Sequence, residues 1–299
     1  MKIIYWIKAA RLRTLPLALS CILMGASLAT IKDFNIQPKV LILTFLTTIL
    51  LQILSNYAND YGDGIKGTDA NRKNSDRMVQ SGHITSKQML NATIFISVLT
   101  FISGIILLIN TFNYNQLWKF LVFLSVGLLS IISAIKYTVG KNAYAYSGFG
   151  DVVVFIFFGL VGVIGSFFLF TGSFHWYTIP GSLFTGLMSC GVLNMNNLRD
   201  FENDKLSNKN TIVVYLGIKR AKIYQFALIV TAKLSLATII IFSRNLILFT
   251  SFVPLFFLLK HLVFVTKNNE LEKFDTQLKL IALTSFFSCL ILLSVSYFT

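Results

Sequence analysis

Long apolar segments, separated by short polar connections, occupy most of the chain. A helix needs about 20 apolar residues to cross the hydrocarbon core of a bilayer, and nine segments approach this length. The pattern predicts an all-α, polytopic membrane protein, and we expect residues 1–299 to form a single transmembrane domain. The nine predicted helices are Leu15–Ile31, Val40–Ser55, Leu90–Ile109, Leu117–Ile135, Val152–Thr171, Ile179–Leu193, Ile223–Phe242, Leu246–Val265 and Leu280–Phe298.

The composition narrows the class of protein further. Of the 299 residues, 55% are hydrophobic and only 13% are charged, whereas soluble globular proteins carry about 25% charged residues. So few charges cannot cover a water-facing surface, which disfavours a soluble enzyme, a disordered protein and a nucleic-acid-binding module. The formal net charge of +14 is interpreted as loop lysines and arginines beside a bilayer, and no nucleic acid is expected as a partner.

Lysines and arginines are concentrated on one side of the predicted membrane domain. The N-terminal segment and the connections on its side hold 21 of them, and the connections on the opposite side hold four. Because the cytoplasmic loops of membrane proteins are enriched in Lys and Arg, we expect the N-terminus to lie in the cytoplasm.

Acidic residues are clustered in a way that this rule does not explain, since seven of the twelve lie in two of the predicted cytoplasmic loops. The first stretch follows the second predicted helix, and its polar residues are three and four apart, so they share a face if the helix continues. The second stretch follows the sixth helix and places two aspartates at i and i+4. The residues concerned are Asn56, Asn59, Asp60 and Asp63 in the first stretch, and Asp200 and Asp204 in the second.

Clustered carboxylate and amide oxygens are hard ligands that suit Mg²⁺, which keeps several waters and is usually shared with substrate phosphate oxygens. Two such stretches facing one cavity would bind a diphosphate through bridging Mg²⁺, and nearby basic residues can contact the phosphate oxygens directly. The alternative is that these are solvated loop charges that cap helices. The expected metal ligands are Asp60, Asp63, Asp69, Asp200 and Asp204. The basic residues expected to bind substrate are Lys66, Arg72, Arg77, Arg199 and Lys209, together with the amides of Asn56, Asn59 and Asn197.

A third polar region, Lys136–Asp151, lies on the same predicted side between the fourth and fifth helices. Its tyrosines, lysines and glycines could hold a phosphate or an aromatic acceptor, and tyrosine rings can stabilise a cation. The interfacial aromatic belt of membrane proteins is the alternative explanation. The candidates here are Lys136, Tyr137, Lys141 and Tyr146.

These stretches resemble the UbiA superfamily of intramembrane aromatic prenyltransferases. The motifs that carry the resemblance are Asn59-Asp60-Tyr61-Gly62-Asp63 with Asp69, and Asp200-x-x-x-Asp204 followed by Lys209 and Thr211. Within the superfamily, the chain is most similar to the branch that prenylates 1,4-dihydroxy-2-naphthoate. That similarity also involves Ala9–Pro16, Tyr137–Gly159 and Asn196–Gly217. Many members of the superfamily have an acidic residue four positions beyond the one that corresponds to Asp63. Here that position is Gly67 and Asp69 lies two residues further on, a spacing typical of this branch.

The resemblance implies nine membrane helices around a central cavity in the inner membrane of a bacterium. It implies Mg²⁺-dependent transfer of a polyprenyl group from polyprenyl diphosphate to 1,4-dihydroxy-2-naphthoate, with loss of CO₂ and diphosphate, which is a step of menaquinone biosynthesis. It also implies that Asp60, Asp63, Asp200 and Asp204 are catalytic.

Three other functions stay open at this point. A related prenyltransferase could act on 4-hydroxybenzoate, homogentisate or haem instead. A phospholipid-alcohol phosphotransferase would also use paired aspartates, but in one segment, whereas here two segments lie about 140 residues apart. A transporter would place ionisable residues near the bilayer midplane, and Lys233 is the one clear charge near the middle of a predicted span.

Overall fold

A computed structural model describes residues 2–68, 77–141 and 143–298, and these residues form helices and turns without a β-strand. A π-helical segment, Phe155–Ile164, joins two short α-helices, and a 3-10 helix, Leu246–Phe256, leads into the α-helix that begins at Phe257. Shorter 3-10 helices are Leu12–Thr14, Tyr114–Gln116, Tyr144–Tyr146 and Leu271–Phe274. The α-helices are α1 Ile3–Ala10, α2 Leu15–Ile31, α3 Pro38–Lys66, α4 Ser86–Thr111, α5 Leu117–Lys136, α6 Gly150–Val154, α7 Gly165–Thr171, α8 Thr178–Arg199, α9 Phe201–Leu206, α10 Ile212–Ser243, α11 Phe257–Lys267 and α12 Asp275–Phe298.

Each of the nine predicted spans coincides with helix, so the predicted fold class is confirmed. Within the described ranges, eight helical stretches are long and apolar enough to cross a membrane, and α8 is not among them. This helix of 22 residues carries several Ser, Thr and Asn side chains, most of which are buried. It packs against α2, α10, α12 and the π-helical segment. Because protein rather than lipid surrounds α8, its surface need not be uniformly apolar.

Helix α3 is longer than the sequence pattern predicts. It passes the expected end at Ser55 and continues through the first acidic stretch to Lys66, where Gly67 ends it in the left-handed conformation (φ 68°). The eleven additional residues lengthen the helix by about 16 Å. They therefore present the first acidic stretch on a rigid helical face rather than on a loop.

The second acidic stretch is divided between two helices. Helix α8 ends at Arg199, Asp200 leaves the helical path, and α9 begins at Phe201. One backbone hydrogen bond still spans the break, from the Asp204 N–H to the Asp200 carbonyl at 2.8 Å. Because of the break, the side chains of Asp200 and Asp204 meet different partners.

The main hydrophobic core lies where α2, α8, α10 and α12 meet, around side chains such as Met24, Phe184, Ile229 and Leu292. The π-helical segment approaches α8 closely, since a Cβ on Gly159 would lie 2.7 Å from the Ser182 carbonyl oxygen. Helices α3, α4 and α5 pack together beside this core. A cavity is lined by both groups of helices.

Candidate active site

The cavity has a volume of about 420 Å³ and extends from an apolar interior to a polar end. Its apolar walls come mainly from α2, α4, α5 and the π-helical segment, with residues such as Leu108, Leu128 and Phe157. Its polar end lies where α3 and α8 finish, and it is lined there by Arg11, Arg13, Asn56, Asn59, Asp63, Arg77, Tyr137, Asn196 and Lys209. Such a cavity fits an elongated ligand with one charged and one apolar end.

Asp63 is the acidic residue of α3 that faces this cavity, and its side chain is only 1% exposed. Arg77 Nη2 lies 2.8 Å from its Oδ2 atom, and Lys209 Nζ lies 3.8 Å from the same oxygen. The Tyr146 hydroxyl donates a hydrogen bond of 2.8 Å to its Oδ1 atom. Two of the basic residues predicted to bind substrate therefore converge on a predicted metal ligand.

Lys209 connects the two acidic stretches. Its Nζ atom is 3.9 Å from Asp204 Oδ1 as well as 3.8 Å from Asp63 Oδ2, so both carboxylates point toward one small region. Burial lowers the pKa of Lys209, but the charges of Asp63 and Asp204 outweigh it and raise the pKa above its ordinary value. The lysine therefore stays protonated at neutral pH and contributes a fixed positive charge.

Asp60 lies one turn before Asp63 but has a different environment. Its carboxylate is fully buried and accepts backbone hydrogen bonds from the N–H groups of Met78 and Val79, at 2.9 and 3.1 Å. It does not line the cavity in the described chain. In this geometry Asp60 anchors the segment that carries Arg77, and its role as a metal ligand stays a prediction.

The predicted amides of α3 also hold neighbouring segments. Asn56 donates to the carbonyl of Ala10 at 2.8 Å and to Oγ1 of Thr14 at 3.0 Å. These bonds fasten the turn between α1 and α2, in which Arg11 adopts a left-handed backbone (φ 47°). Asn59 accepts a hydrogen bond of 3.3 Å from the Thr138 hydroxyl. Both amides line the cavity as well.

The loop between α5 and α6 packs directly on the end of α3. A Cβ on Gly62 would lie 2.8 Å from the backbone of Thr138, so glycine permits this close approach. The approach brings Tyr137 to the cavity wall and Tyr146 to Asp63. Burial and the charge of Asp63 raise the pKa of Tyr146, so its hydroxyl remains a donor.

Arg199 forms a second charged cluster at the rim. Its Nε and Nη2 atoms donate to both carboxylate oxygens of Asp200, at 2.8 and 2.7 Å, and Nη2 also reaches Asn196 Oδ1 at 2.8 Å. Its Nη1 atom pairs with Asp275 at the start of α12, which also pairs with Arg13 at 3.1 Å. Asp200 therefore belongs to a cluster distinct from the Asp63, Lys209 and Asp204 group.

The remaining predicted residues are distributed more widely. Lys66 is exposed but stands over the Tyr146 ring. Lys136 and Lys141 are exposed, and Asn197 is buried on α8 beside the cavity-lining Asn196. The predictions for Asp69 and Arg72 lie outside the described residues.

Sequence reasoning missed three groups of residues at this site. Arg11 and Arg13 line the cavity, but they were interpreted only as topology charges and motif residues. Asn196 was not selected although its neighbour Asn197 was. Asp275 gave no signal, because a carboxylate in a charged loop cannot be told from a solvated one without its partners.

Comparison with known proteins agrees with this geometry, since residues 18–292 match the UbiA prenyltransferase family. The chain belongs to this family. It is 39% identical to the 1,4-dihydroxy-2-naphthoate octaprenyltransferase of Haemophilus influenzae, over 94% of this chain and 93% of that protein. It is 41% identical to the Escherichia coli enzyme of the same name, over 80% of this chain and 77% of that one.

Solved structures of UbiA proteins share the fold at low sequence identity. A UbiA homolog from Archaeoglobus fulgidus, bound to GPP and Mg²⁺, superimposes with a TM-score of 0.64 at 14% identity, covering 97% of this chain and 99% of that one. A UbiA homolog from Aeropyrum pernix gives a TM-score of 0.63 at 14% identity, covering 90% and 94%. The helical arrangement around the cavity is therefore that of the UbiA fold, and the prediction of this family is confirmed.

Proposed function

We propose that this UbiA protein transfers a polyprenyl group from polyprenyl diphosphate to 1,4-dihydroxy-2-naphthoate, as its relatives are named for doing. The product, after loss of CO₂ and diphosphate, is a demethylmenaquinol of menaquinone biosynthesis. The observation that carries the proposal is the cavity, which places Asp63, Arg77 and Lys209 at one end of an apolar chamber within the membrane domain. This is the combination that a prenyl diphosphate requires.

The charged end suits the diphosphate group. Arg77 and Lys209 can donate charge-assisted hydrogen bonds to phosphate oxygens, since both already hold an anionic oxygen there. They stabilise the negative charge that accumulates as the carbon–oxygen bond breaks. The apolar walls receive the hydrocarbon chain and keep water away from the allylic cation.

The donor set also fits a divalent metal. Within the described residues, no three His, Cys, Asp or Glu side chains form a group that could hold a metal ion. Asp63 and Asp204 nevertheless face one region through Lys209. Mg²⁺ typically uses one or two carboxylates together with waters and substrate phosphates. We propose that these two aspartates hold Mg²⁺, which when bound neutralises diphosphate charge, with Asp60, Asp69 and Asp200 as further candidate ligands.

Bond changes in the reaction balance without a redox partner. The carbon–oxygen bond of the prenyl diphosphate breaks, and the electron pair leaves with the diphosphate. The electron-rich naphthol ring attacks the resulting cation at the carbon that bears the carboxylate. The bond to the carboxylate then breaks, its electron pair restores aromaticity, and CO₂ departs.

The orientation in the membrane is part of the proposal. We infer that the protein lies in a bacterial cytoplasmic membrane, with its N-terminus and the polar end of the cavity toward the cytoplasm. The distribution of lysine and arginine, 21 on one side against four on the other, supports this. Single cysteines at Lys8 and Arg244 in a background of Cys21→Ala, Cys190→Ala and Cys289→Ala test it with an impermeant thiol reagent on intact cells. Labelling at position 8 rather than at position 244 would contradict the orientation.

An acceptor panel tests the function directly. Membranes containing the protein should form a demethylmenaquinol from polyprenyl diphosphate and 1,4-dihydroxy-2-naphthoate only when Mg²⁺ is supplied. Activity should be absent or much lower with 4-hydroxybenzoate or homogentisate. Full activity in EDTA, or a clear preference for another acceptor, would contradict the proposal.

A further inference from the structure

Tyr146 contacts the first acidic stretch and also Lys209, which follows the second stretch, although it does not line the cavity in the described chain. Its hydroxyl donates to Asp63 Oδ1 at 2.8 Å and lies 2.6 Å from Thr68 Oγ1. Because the single hydroxyl proton goes to the carboxylate, Thr68 is the donor in the second bond. The hydroxyl is therefore fixed from two directions, and Asp63 is fixed through it.

The ring of the same tyrosine collects two cations. Lys66 Nζ lies 4.0 Å from the ring centroid, and Lys209 Nζ lies 5.5 Å from it. Both distances are within the range of cation–π attraction, which operates through the electron-rich face of the ring. Lys66 belongs to the first acidic stretch and Lys209 follows the second. One ring therefore holds a lysine from each of these two regions beside Asp63.

The chemical nature of the hydroxyl matters for a metal-binding carboxylate. Arg77 and Lys209 neutralise the Oδ2 side of Asp63, and a further cation on Oδ1 would reduce its affinity for a divalent ion. A neutral hydroxyl orients the carboxylate without cancelling its charge.

We propose that Tyr146 is a positioning residue, whose hydroxyl orients Asp63 for the metal and whose ring places Lys66 and Lys209 at the diphosphate. This differs from the direct substrate contact that the sequence predicts for Tyr146. The inference rests on the proposed function, because it assigns the hydroxyl of Tyr146 to the Mg²⁺ site and the ring of Tyr146 to the diphosphate site.

Two substitutions separate these halves. Tyr146→Phe keeps the ring and removes the donor, so the Mg²⁺ concentration for half-maximal activity should rise about 10-fold, with KM for prenyl diphosphate at saturating Mg²⁺ within about 3-fold of wild type. Tyr146→Leu removes both, so KM for prenyl diphosphate should also rise about 10-fold. The control is Tyr57→Phe on α3. It removes a different tyrosine hydroxyl, which donates to the Trp6 carbonyl at 3.3 Å, and should leave both quantities unchanged.

A second measurement does not depend on turnover. Inorganic diphosphate should raise the melting temperature of the purified protein, and Mg²⁺ should increase this protection. Tyr146→Phe should lose mainly the additional protection that Mg²⁺ gives. Tyr146→Leu should lose most of that protection and most of the protection by diphosphate alone. If Tyr146→Leu does not fold, Tyr146→Phe alone still carries the test.

Wild-type Mg²⁺ dependence and wild-type protection in Tyr146→Phe would overturn the inference. A fall in kcat alone, with Mg²⁺ and diphosphate responses unchanged, would also overturn it. If the wild-type protein is protected by diphosphate and Mg²⁺ but does not prenylate the naphthoate, the proposed function fails while the positioning role is still measured by the melting data.

Discussion

Asp60 and Asp63 show how much the role of a residue depends on its partners. The two carboxylates are one helical turn apart, and both are buried. Asp60 accepts hydrogen bonds from two backbone N–H groups, whereas Asp63 faces Arg77, Lys209 and the cavity. A buried carboxylate bonded to backbone amides stabilises a fold, and a buried carboxylate paired with side-chain cations beside a cavity can exchange them for a metal and a substrate.

Replacing each of these aspartates by asparagine should therefore give different results. Asp60→Asn keeps one acceptor oxygen but loses a charge-assisted bond worth about 1.5–3 kcal/mol, so the melting temperature should fall by several degrees. Asp63→Asn should reduce kcat/KM at least 100-fold with a much smaller change in melting temperature. Thermal unfolding in detergent and prenyl transfer are measured on the same samples. Equal loss of stability in the two variants would contradict this distinction.

Lys209 supplies the charge between the two acidic stretches, so Lys209→Gln should lower kcat/KM by about 10- to 100-fold, the effect of one charge-assisted hydrogen bond. Its pKa is raised in the folded protein, so its contribution to stability is complete below the unfolded pKa and disappears only above it. The difference in melting temperature between wild type and variant should therefore be equal at pH 7 and pH 9. Lys205→Gln, which removes an exposed charge from α9, is the matched control and should retain activity. A stability difference that shrinks between these pH values would contradict the raised pKa.

At the scale of the helices, the polar ends of α3 and α8 carry the function, whereas the apolar helices α4 and α5 shape the chamber. Gly104 of α4 and Gly127 of α5 line the cavity, and a side chain added at either would enter open space. These two positions therefore allow the chamber to be narrowed without displacing the backbone.

Gly104→Phe and Gly127→Phe should shorten the prenyl chain that the protein accepts. The added ring occupies space that a long hydrocarbon chain needs, whereas a geranyl chain remains near the charged end. The ratio of kcat/KM for geranyl and octaprenyl diphosphates should rise about 10-fold or more. Leu129→Phe places the same ring on the exposed side of α5 and should leave the ratio unchanged. An unchanged ratio in both glycine variants would show that the prenyl chain does not pass these positions.

At the scale of the whole molecule, Asp275 joins three distant parts of the chain. It pairs with Arg13 before α2 and with Arg199 at the end of α8, while it begins α12 itself. Side chains that are about 40% exposed, such as Arg13 and Asp275, form pairs worth roughly 0–1 kcal/mol. The contribution of Asp275 therefore depends mainly on Arg199, which is only 10% exposed.

Asp275→Asn should lower the melting temperature by about 2–4 °C, corresponding to about 1 kcal/mol. Arg13→Gln should lower it less, and the loss in the double variant should be smaller than the sum of the two single losses, because both changes remove the same pair. Glu272→Gln, which removes an exposed carboxylate from the same loop, is the control. Additive losses in the double variant would contradict a shared ion pair.

The sequence alone determined the spans, the helical class and the two acidic stretches. These features depend on local properties, since about 20 apolar residues favour a helix in the bilayer wherever they occur. Sequence length and hydropathy did not predict that α3 continues to Lys66 or that the helix breaks at Asp200. Packing decides such endings, because a polar helical turn is stable only where neighbouring segments satisfy its side chains.

Only the tertiary structure decided which polar residues act together. Asp63, Tyr146 and Lys209 lie far apart in the sequence, and folding brings them within a few ångströms. The same folding turns Asp60 toward the backbone N–H groups of Met78 and Val79 and brings Asp275 to Arg199. Hydrogen bonds and ion pairs depend on distance and direction in space. Residue spacing along a helix predicts these only for pairs of residues within the same helix. The sequence thus named the chemistry available to this UbiA protein, and long-range packing assigned each group its partner.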